Sequence, residues 1–271
     1  MAKKPTTAVV NWEDEMEAQA KVAAEAQRST GGGGKFFSMR AGQLSYDGVA
    51  MPGNMMAVVI LADTIENSYY DTAFDPDTPT SPKCFAFARD EADMEPHEAV
   101  DNDPYFERQH DTCNGCPQNA WGSARTGKGK ACSNVMRLAM IPAGEYKKGA
   151  GRNSALDLTM FDEEEHFEKA DIAYMKLPVM SVRNYSTFVK GLAVEMKRPP
   201  HGVFANVAVE PDPKSQFKVV FEVIGPVPNE LMATMMKRHK ATQDAIDFPY
   251  TPPMAREEQS AKPVNAKLKR R

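Results

Sequence analysis

Short runs of alternating or continuous apolar residues make up most of the chain. From Phe36 to Tyr46, Phe37 and Met39 fall on one side and Phe36, Ser38 and Arg40 on the other, which predicts a strand ended by the turn signal Asp47-Gly48. Met55 to Leu61 is unbroken apolar sequence and predicts a buried strand. The two are expected to form the first hairpin of an all-β unit. Asn134 to Ile141 predicts a third strand, followed by a basic, glycine-containing turn over 142–154. Shorter strands are expected at 155–160 and 171–177, around the acidic insert Asp162–Glu165.

A helical period follows. Val182, Tyr185, Phe188, Val189, Leu192 and Met196 share one helical face, so a helix is expected from a Ser181 cap to about Lys197, where Pro199-Pro200 stops it. Strict alternation returns at Val203–Val209 and at Phe217–Ile224, and Gly225-Pro226 ends the second run. Asn229 to Asp247 predicts a last helix with Leu231, Met235 and Met236 turned inward. Three strands, a helix and two strands is the order of an OB-fold. The expected class is therefore mainly β with flanking helices: an OB-fold-like Greek-key barrel.

The ends differ from this middle. Residues 11–28 are rich in helix formers, with Asn11 as an N-cap, and Gly31–Gly34 read as a flexible linker, so 1–34 is expected to be a separate arm capable of self-association. The globular domain is expected over 35–250. The polar segment 251–271, ending Lys267-Leu-Lys-Arg-Arg271, reads as a disordered basic tail. No apolar run reaches membrane length, so a soluble, cytoplasmic chain without a membrane partner is expected.

The net charge of −4 hides a segregation. Residues 90–111 carry nine acids and one Arg, whereas residues 112–152 carry seven Lys and Arg and one Glu. The two limbs can pair as solvated loops, or the second can form a basic binding face.

The basic limb holds three of the four cysteines, in Cys113-Asn-Gly-Cys116-Pro-Gln-Asn119-Ala-Trp121 and on to Lys128-Gly-Lys130-Ala-Cys132. A Cys-x-x-Cys pair turns two thiolates toward one point, a third cysteine can close over it, and Cys84 can supply a fourth sulfur. Four soft thiolates suit a structural Zn²⁺, with no coordination position left for catalytic water. His97 and His110 are rival fourth ligands. Nothing resembles a secretory leader, which argues against disulfides. Two enzyme motifs nearly match and fail. Gly122-x4-Gly127-Lys128 lacks the following hydroxyl of a phosphate loop, and the one His-x-Glu, His166-Phe-Glu168, follows the cysteines where a zinc deaminase needs it before them. The chain is read as a non-enzyme.

An aromatic and several cations on a metal-stapled loop point to a polyanion with stacking faces. Trp121 and Phe36 are the candidate stacking rings. Arg40, Arg125, Lys128, Lys130, Arg137, Lys147 and Lys148 are the candidate phosphate contacts, with Phe36, Arg40 and Arg137 on one strand surface. The competing readings are a divalent-metal nuclease built on Asp90, Asp93, Asp101, Asp103 and Asp111, and a zinc-stabilised interaction module that binds no DNA.

The run Cys113-x-x-Cys116-Pro-x-Asn119-x-Trp121-Gly-Ser123, followed by Gly127-Lys-Gly-Lys-Ala-Cys132, resembles a family of bacteriophage single-stranded DNA-binding proteins. The likeness extends to Pro82-Lys-Cys84-Phe and to Leu177-Pro178 with the helix after it, covering roughly residues 35–225. It implies a sequence-tolerant single-strand binder in phage replication or recombination, acting in the host cytoplasm beside other proteins of those processes. The basic C-terminus departs from the acidic, partner-recruiting tail of many single-strand binders.

Overall fold

The computed structural model describes residue 16 and residues 36–46, 48–73, 80–149 and 155–253. Apart from Met16, the expected arm helix at 11–28 and the glycine linker lie outside the described residues, as does the tail from 254.

The fold is mainly β. Its centre is a pair of long antiparallel strands, β4 (Met55–Tyr69) and β6 (Cys132–Lys148). Both run well past the apolar segments that predict them. β4 continues through Asp63, Thr64, Glu66, Asn67 and Ser68, polar residues that read as a strand end, because its neighbours cover most of them and satisfy their polar atoms. β6 runs through Pro142, the expected start of a turn. The register there shifts by one residue, with Val58 opposite Pro142 and Ala57 opposite Gly144, and the bulge accommodates a residue with no N–H to give. Gly144 is needed at this point, since a Cβ there would lie 2.7 Å from the Thr159 carbonyl oxygen.

Before this pair, the single strand expected over Phe36–Tyr46 is a hairpin. β1 (Phe37–Arg40) and β2 (Gln43–Tyr46) are joined at Ala41 (φ 51) and Gly42 (φ 75), a two-residue turn with both φ positive. With β3 (Val49–Ala50) they form their own three-stranded sheet and do not pair with β4 as expected.

The main sheet has seven antiparallel strands. β5 (Cys84–Ala88) pairs with the end of β4, while β7 (Leu156–Met160) and β8 (Ala173–Leu177) pair with the two halves of β6. β9 (Val203–Asp212) pairs with the start of β4, and β10 (Gln216–Pro226) lies beyond it. A short helix α1 (Ala99–Asn102) lies in the acidic limb, and the acidic insert forms another, α2 (Glu164–Lys169). Between β8 and β9 runs α3 (Val179–Gly191), with a further turn to Met196 that stops at Lys197 (φ 53). After β10 comes α4 (Asn229–Ala245).

The sheet curls around the larger core. Met56, Val58 and Ile60 of β4 meet Leu138, Met140, Met175, Leu177, Ala205, Val207 and Val219 on its concave side, and α3 fills the opening with Tyr185 and Phe188, followed by Leu192. Ser181 does not cap this helix as expected. It is buried, and its Oγ accepts a hydrogen bond from the Val219 N–H at 2.9 Å. Asn184 Nδ2 donates to the Val219 carbonyl at 2.8 Å, so α3 occupies the edge of β10 that no described strand pairs. The convex side buries Val59, Leu61, Ile141 and Phe204 under Phe167, Leu231 and Met235. Met236, expected inward, is exposed.

Candidate functional site

Pairing places the cysteines at one end of the sheet, as their position before β6 predicts. Tyr69, the last residue of β4, is opposite Cys84 of β5 on one side and Cys132 of β6 on the other. Residues directly opposite in a ladder project to the same face, so these two thiols share a face. Asn67, two residues earlier, lies on it too, opposite Ala86 and Asn134. The other two thiols come from the loop over that face. Gly115 (φ 88) lets the chain turn between Cys113 and Cys116. Asn119 then donates from its backbone to the Cys116 carbonyl at 2.9 Å and from Nδ2 to the Cys113 carbonyl at 3.0 Å. Cys113 N–H is anchored to the Met94 carbonyl at 2.8 Å.

All four cysteines are unpaired, and all four line one small cavity of about 20 Å³, room for a single water-sized occupant. Among the described residues no three His, Cys, Asp or Glu side chains are already drawn together as a metal-binding group. The thiols are nonetheless near enough to influence one another. Burial pushes Cys132 up to about 12, and the charges of Cys113, Cys84 and Cys116 add to the rise. Burial likewise pushes Cys113 up to about 11, against a hydrogen bond from Asn67. Cys84 is raised by burial. Cys84, Cys113 and Cys132 therefore hold their protons more firmly than free thiols, and a dication among them would reverse that direction. Of the rival ligands, His110 lines the cavity, with Nδ1 2.9 Å from the Thr112 carbonyl oxygen. His97 does not line it; its ring is stacked on Phe85 at 5.4 Å.

From this base the chain extends a flap over 120–131. Gly122 N–H donates to the Gly129 carbonyl at 2.9 Å, as does Ala124 N–H at 3.2 Å. Ser123 Oγ accepts from the Ala131 N–H at 2.9 Å, closing the base of the flap. Trp121 stands at its surface with 80% of its area exposed, so it does not pack beneath the knuckle. Lys130 Nζ lies 5.8 Å from the centre of its ring and donates to Asn119 Oδ1 at 3.1 Å. Arg125 and Lys128 are exposed on the same flap.

No family model, curated protein or solved structure matches the chain. The functional reading therefore rests on geometry and on the cysteine motif.

The other expected contacts are not gathered here. Arg137 is the clearest correction. It is 1% exposed, and its Nε donates to Glu66 Oε2 at 2.7 Å, while NH1 reaches the carbonyls of Ile246 and Phe248. Phe87 and Phe248 lie on its guanidinium at 4.3 and 4.2 Å. It lies near Phe36 as expected, with the guanidinium 6.0 Å from that ring, but the segment after α4 covers both. Phe36 is half-buried, with its ring against Tyr174 and Phe248. Arg40 is exposed on the small sheet. Lys147 and Lys148 are exposed at the far end of the 17-residue β6, about 50 Å along the strand from Cys132, and Lys147 is paired with Glu145 at 2.9 Å. Among the acids, Asp101 is paired with Arg108, and Asp90 and Asp103 accept backbone N–H bonds within their own turns.

Proposed function

We propose that the protein binds single-stranded nucleic acid without strong duplex affinity, through the cysteine-based flap at the end of its curled sheet. The observation that carries this reading is Trp121: an 80% exposed indole on a hydrogen-bonded loop, with Lys130 beside its ring and Arg125 and Lys128 on the same flap. An exposed tryptophan offers a flat face to any base, and each stacked base is worth about 1–3 kcal/mol. The cations meet the adjoining phosphates and release counterions.

The strand pairing supports a finer reading of the fold. β4 pairs with β6, β6 with β8 and β4 with β9, β9 pairs with β10, and α3 lies between β8 and β9. Those are the adjacencies of a five-stranded OB barrel, with α3 at the place where the last and third strands would meet. On this reading the cysteine loop is an elaboration of the connection between the first two barrel strands, a connection that OB-folds use for oligonucleotides.

Zn²⁺ held by Cys84, Cys113, Cys116 and Cys132 is part of the proposal. Four unpaired thiols around a cavity for one small occupant fit such an ion. It would hold the knuckle and flap in shape and perform no chemistry. Protection of single strands in phage replication or recombination, beside the proteins of those processes, is the role that the motif's likeness suggests.

The test is fluorescence anisotropy of labelled oligothymidine titrated across salt, beside a duplex of equal length. Tight, salt-sensitive binding to the single strand supports the proposal. No binding at low salt overturns it and leaves a zinc-stabilised interaction module.

A further inference from the structure

Beside the cysteine cavity lies a second hollow of different character. It is about 410 Å³ in volume and predominantly polar, within the size range of small-molecule sites. Its walls carry the amides of Asn67, Asn114, Asn119 and Asn134, the carboxylate of Glu91 and the ammonium of Lys130. The paired strands β4 and β6, the Cys113–Cys116 knuckle with the turn after it, the flap and the acidic limb all contribute.

Part of this wall is fixed. Asn134 Nδ2 donates to Asn67 Oδ1 across the ladder, and Asn119 is held by the Cys113 carbonyl and by Lys130. Lys130 is the joint between the hollow and the flap, since it lines the one and its ammonium lies beside the Trp121 ring of the other. Glu91 and Asn114 are exposed, and among the described residues neither side chain forms a hydrogen bond or ion pair with the rest of the chain, so both are open to solvent and to a ligand that enters the hollow.

We propose that this hollow takes one nucleobase of the bound strand and prefers guanine; the inference rests on the single-strand binding argued above. Lys130 lines the hollow with its ammonium 5.8 Å from the centre of the Trp121 ring, so on this proposal a base stacked on that ring turns its edge toward the hollow past Lys130. Guanine's Watson–Crick edge carries two adjacent N–H donors and one carbonyl acceptor. A carboxylate accepts two parallel N–H groups, and an ammonium or amide donates to the carbonyl. Thymine offers one N–H between two carbonyl oxygens, which Glu91 would repel; cytosine and adenine each offer a single amino group beside bare acceptors. Recognition of single-stranded bases by edge hydrogen bonds together with stacking is general chemistry. The expected binder is thus tolerant along most of the strand and selective at one position, where Glu91 discriminates by repelling thymine as well as by accepting from guanine.

The experiment compares an oligothymidine with the same oligonucleotide carrying isolated deoxyguanosines, using the full-length protein and its Glu91→Gln and Asn114→Ala variants. The readout is the ratio of the two affinities. In the wild type the guanosines should tighten binding by roughly five- to a hundredfold, the range of one well-made pair of base contacts. In Glu91→Gln the ratio should fall toward one, and in Asn114→Ala it should fall part of the way. If oligothymidine binds and the guanosines add nothing, or add as much in Glu91→Gln as in the wild type, the base pocket is wrong while single-strand binding stands. If neither oligonucleotide binds, both proposals fall.

Discussion

Arg137 donates from Nε to Glu66 Oε2 at 2.7 Å, and both side chains are buried. Lys176 lies on the other carboxylate oxygen at 2.7 Å, and the Tyr250 hydroxyl donates to the same atom. Phe248 and Tyr250 thereby fasten the segment after α4 across β6 and β8. A buried pair is worth little beside an apolar pair of the same shape. Arg137→Met leaves Glu66 its Lys176 and Tyr250 partners but takes the donor from the Ile246 and Phe248 carbonyls, so it should cost about 1–3 kcal/mol in urea-induced unfolding. The double variant Arg137→Met, Glu66→Met should recover little of that loss, because it leaves Lys176 and Tyr250 without the carboxylate. The remaining folded Arg137→Met protein should keep its salt dependence of oligonucleotide binding, because Arg137 meets no phosphate.

The same pair sets an acid limit. Burial pushes the Glu66 carboxyl up, but the charges of Lys176 and Arg137 pull it down further, and it ends below the usual carboxylate value of 4.5. A carboxyl depressed in the folded state contributes stability above its unfolded value, and that contribution is lost as pH falls through the folded value. Melting temperature should accordingly drop below about pH 4.5. Glu66→Gln should flatten that drop while lowering stability at neutral pH.

A second titration acts at milder pH. His201 stacks on His239 with ring centres 4.0 Å apart, and His239 Nδ1 lies 2.6 Å from the Leu61 carbonyl oxygen. Burial, and then the charge of His239, lower His201 from 6.5 to about 4. The unfolded chain takes up this proton before the folded one does, so stability should fall as pH drops from 6.5 toward 4. His201→Phe keeps the stack and removes the proton site. Its urea midpoint should change less than the wild type's between about pH 7 and about pH 5; an equal change in both proteins would remove His201 from the account.

Metal content tests the cysteine cluster directly. The purified protein should carry about one Zn²⁺ per chain by elemental analysis, the stoichiometry of a four-thiolate site. Cys116→Ser should lose the ion and weaken oligothymidine binding by disordering the flap. His97→Ala should retain the ion, because that ring stacks on Phe85 and does not line the cavity. Unchanged oligonucleotide binding in a Cys116→Ser protein shown to lack metal would separate the zinc from the DNA site.

Alternation in the sequence locates β9 and β10, and the helical period locates α3 and α4, because a half-buried strand and an amphipathic helix write their periods into the chain. The second half of β4 escapes it, since Thr64, Glu66 and Asn67 are polar yet buried: their environment comes from β5, β6 and the segment after α4, which no local pattern records. For the same reason Arg137 reads as a surface cation. The Cys-x-x-Cys spacing marks the knuckle, and Cys84, which the sequence offers as a fourth sulfur, shares the strand partner Tyr69 with Cys132. Asn67 and Asn134 carry no signal, since only pairing across a gap of 67 residues brings them together. Asn119 does carry one, as the polar residue fixed within the cysteine motif.

The flap cations give the sharpest test of the binding mode. Arg125 and Lys128 are exposed, and among the described residues neither has an ion-pair partner, so replacing them should leave stability unchanged. Each phosphate contact on a single strand adds about 0.7 to the slope of log affinity against log salt. Lys128→Ala should therefore lower that slope by about 0.7, and Arg125→Ala by a similar amount. Trp121→Ala should behave differently. It removes a stacked base, so affinity should fall by about five- to a hundredfold while the slope stays as it was. Lys147→Ala should alter neither quantity, because Lys147 lies at the far end of β6 and already faces Glu145. A loss of slope in Lys147→Ala equal to that in Lys128→Ala would mean that the strand tracks the whole length of the sheet, and that the flap is one contact among many.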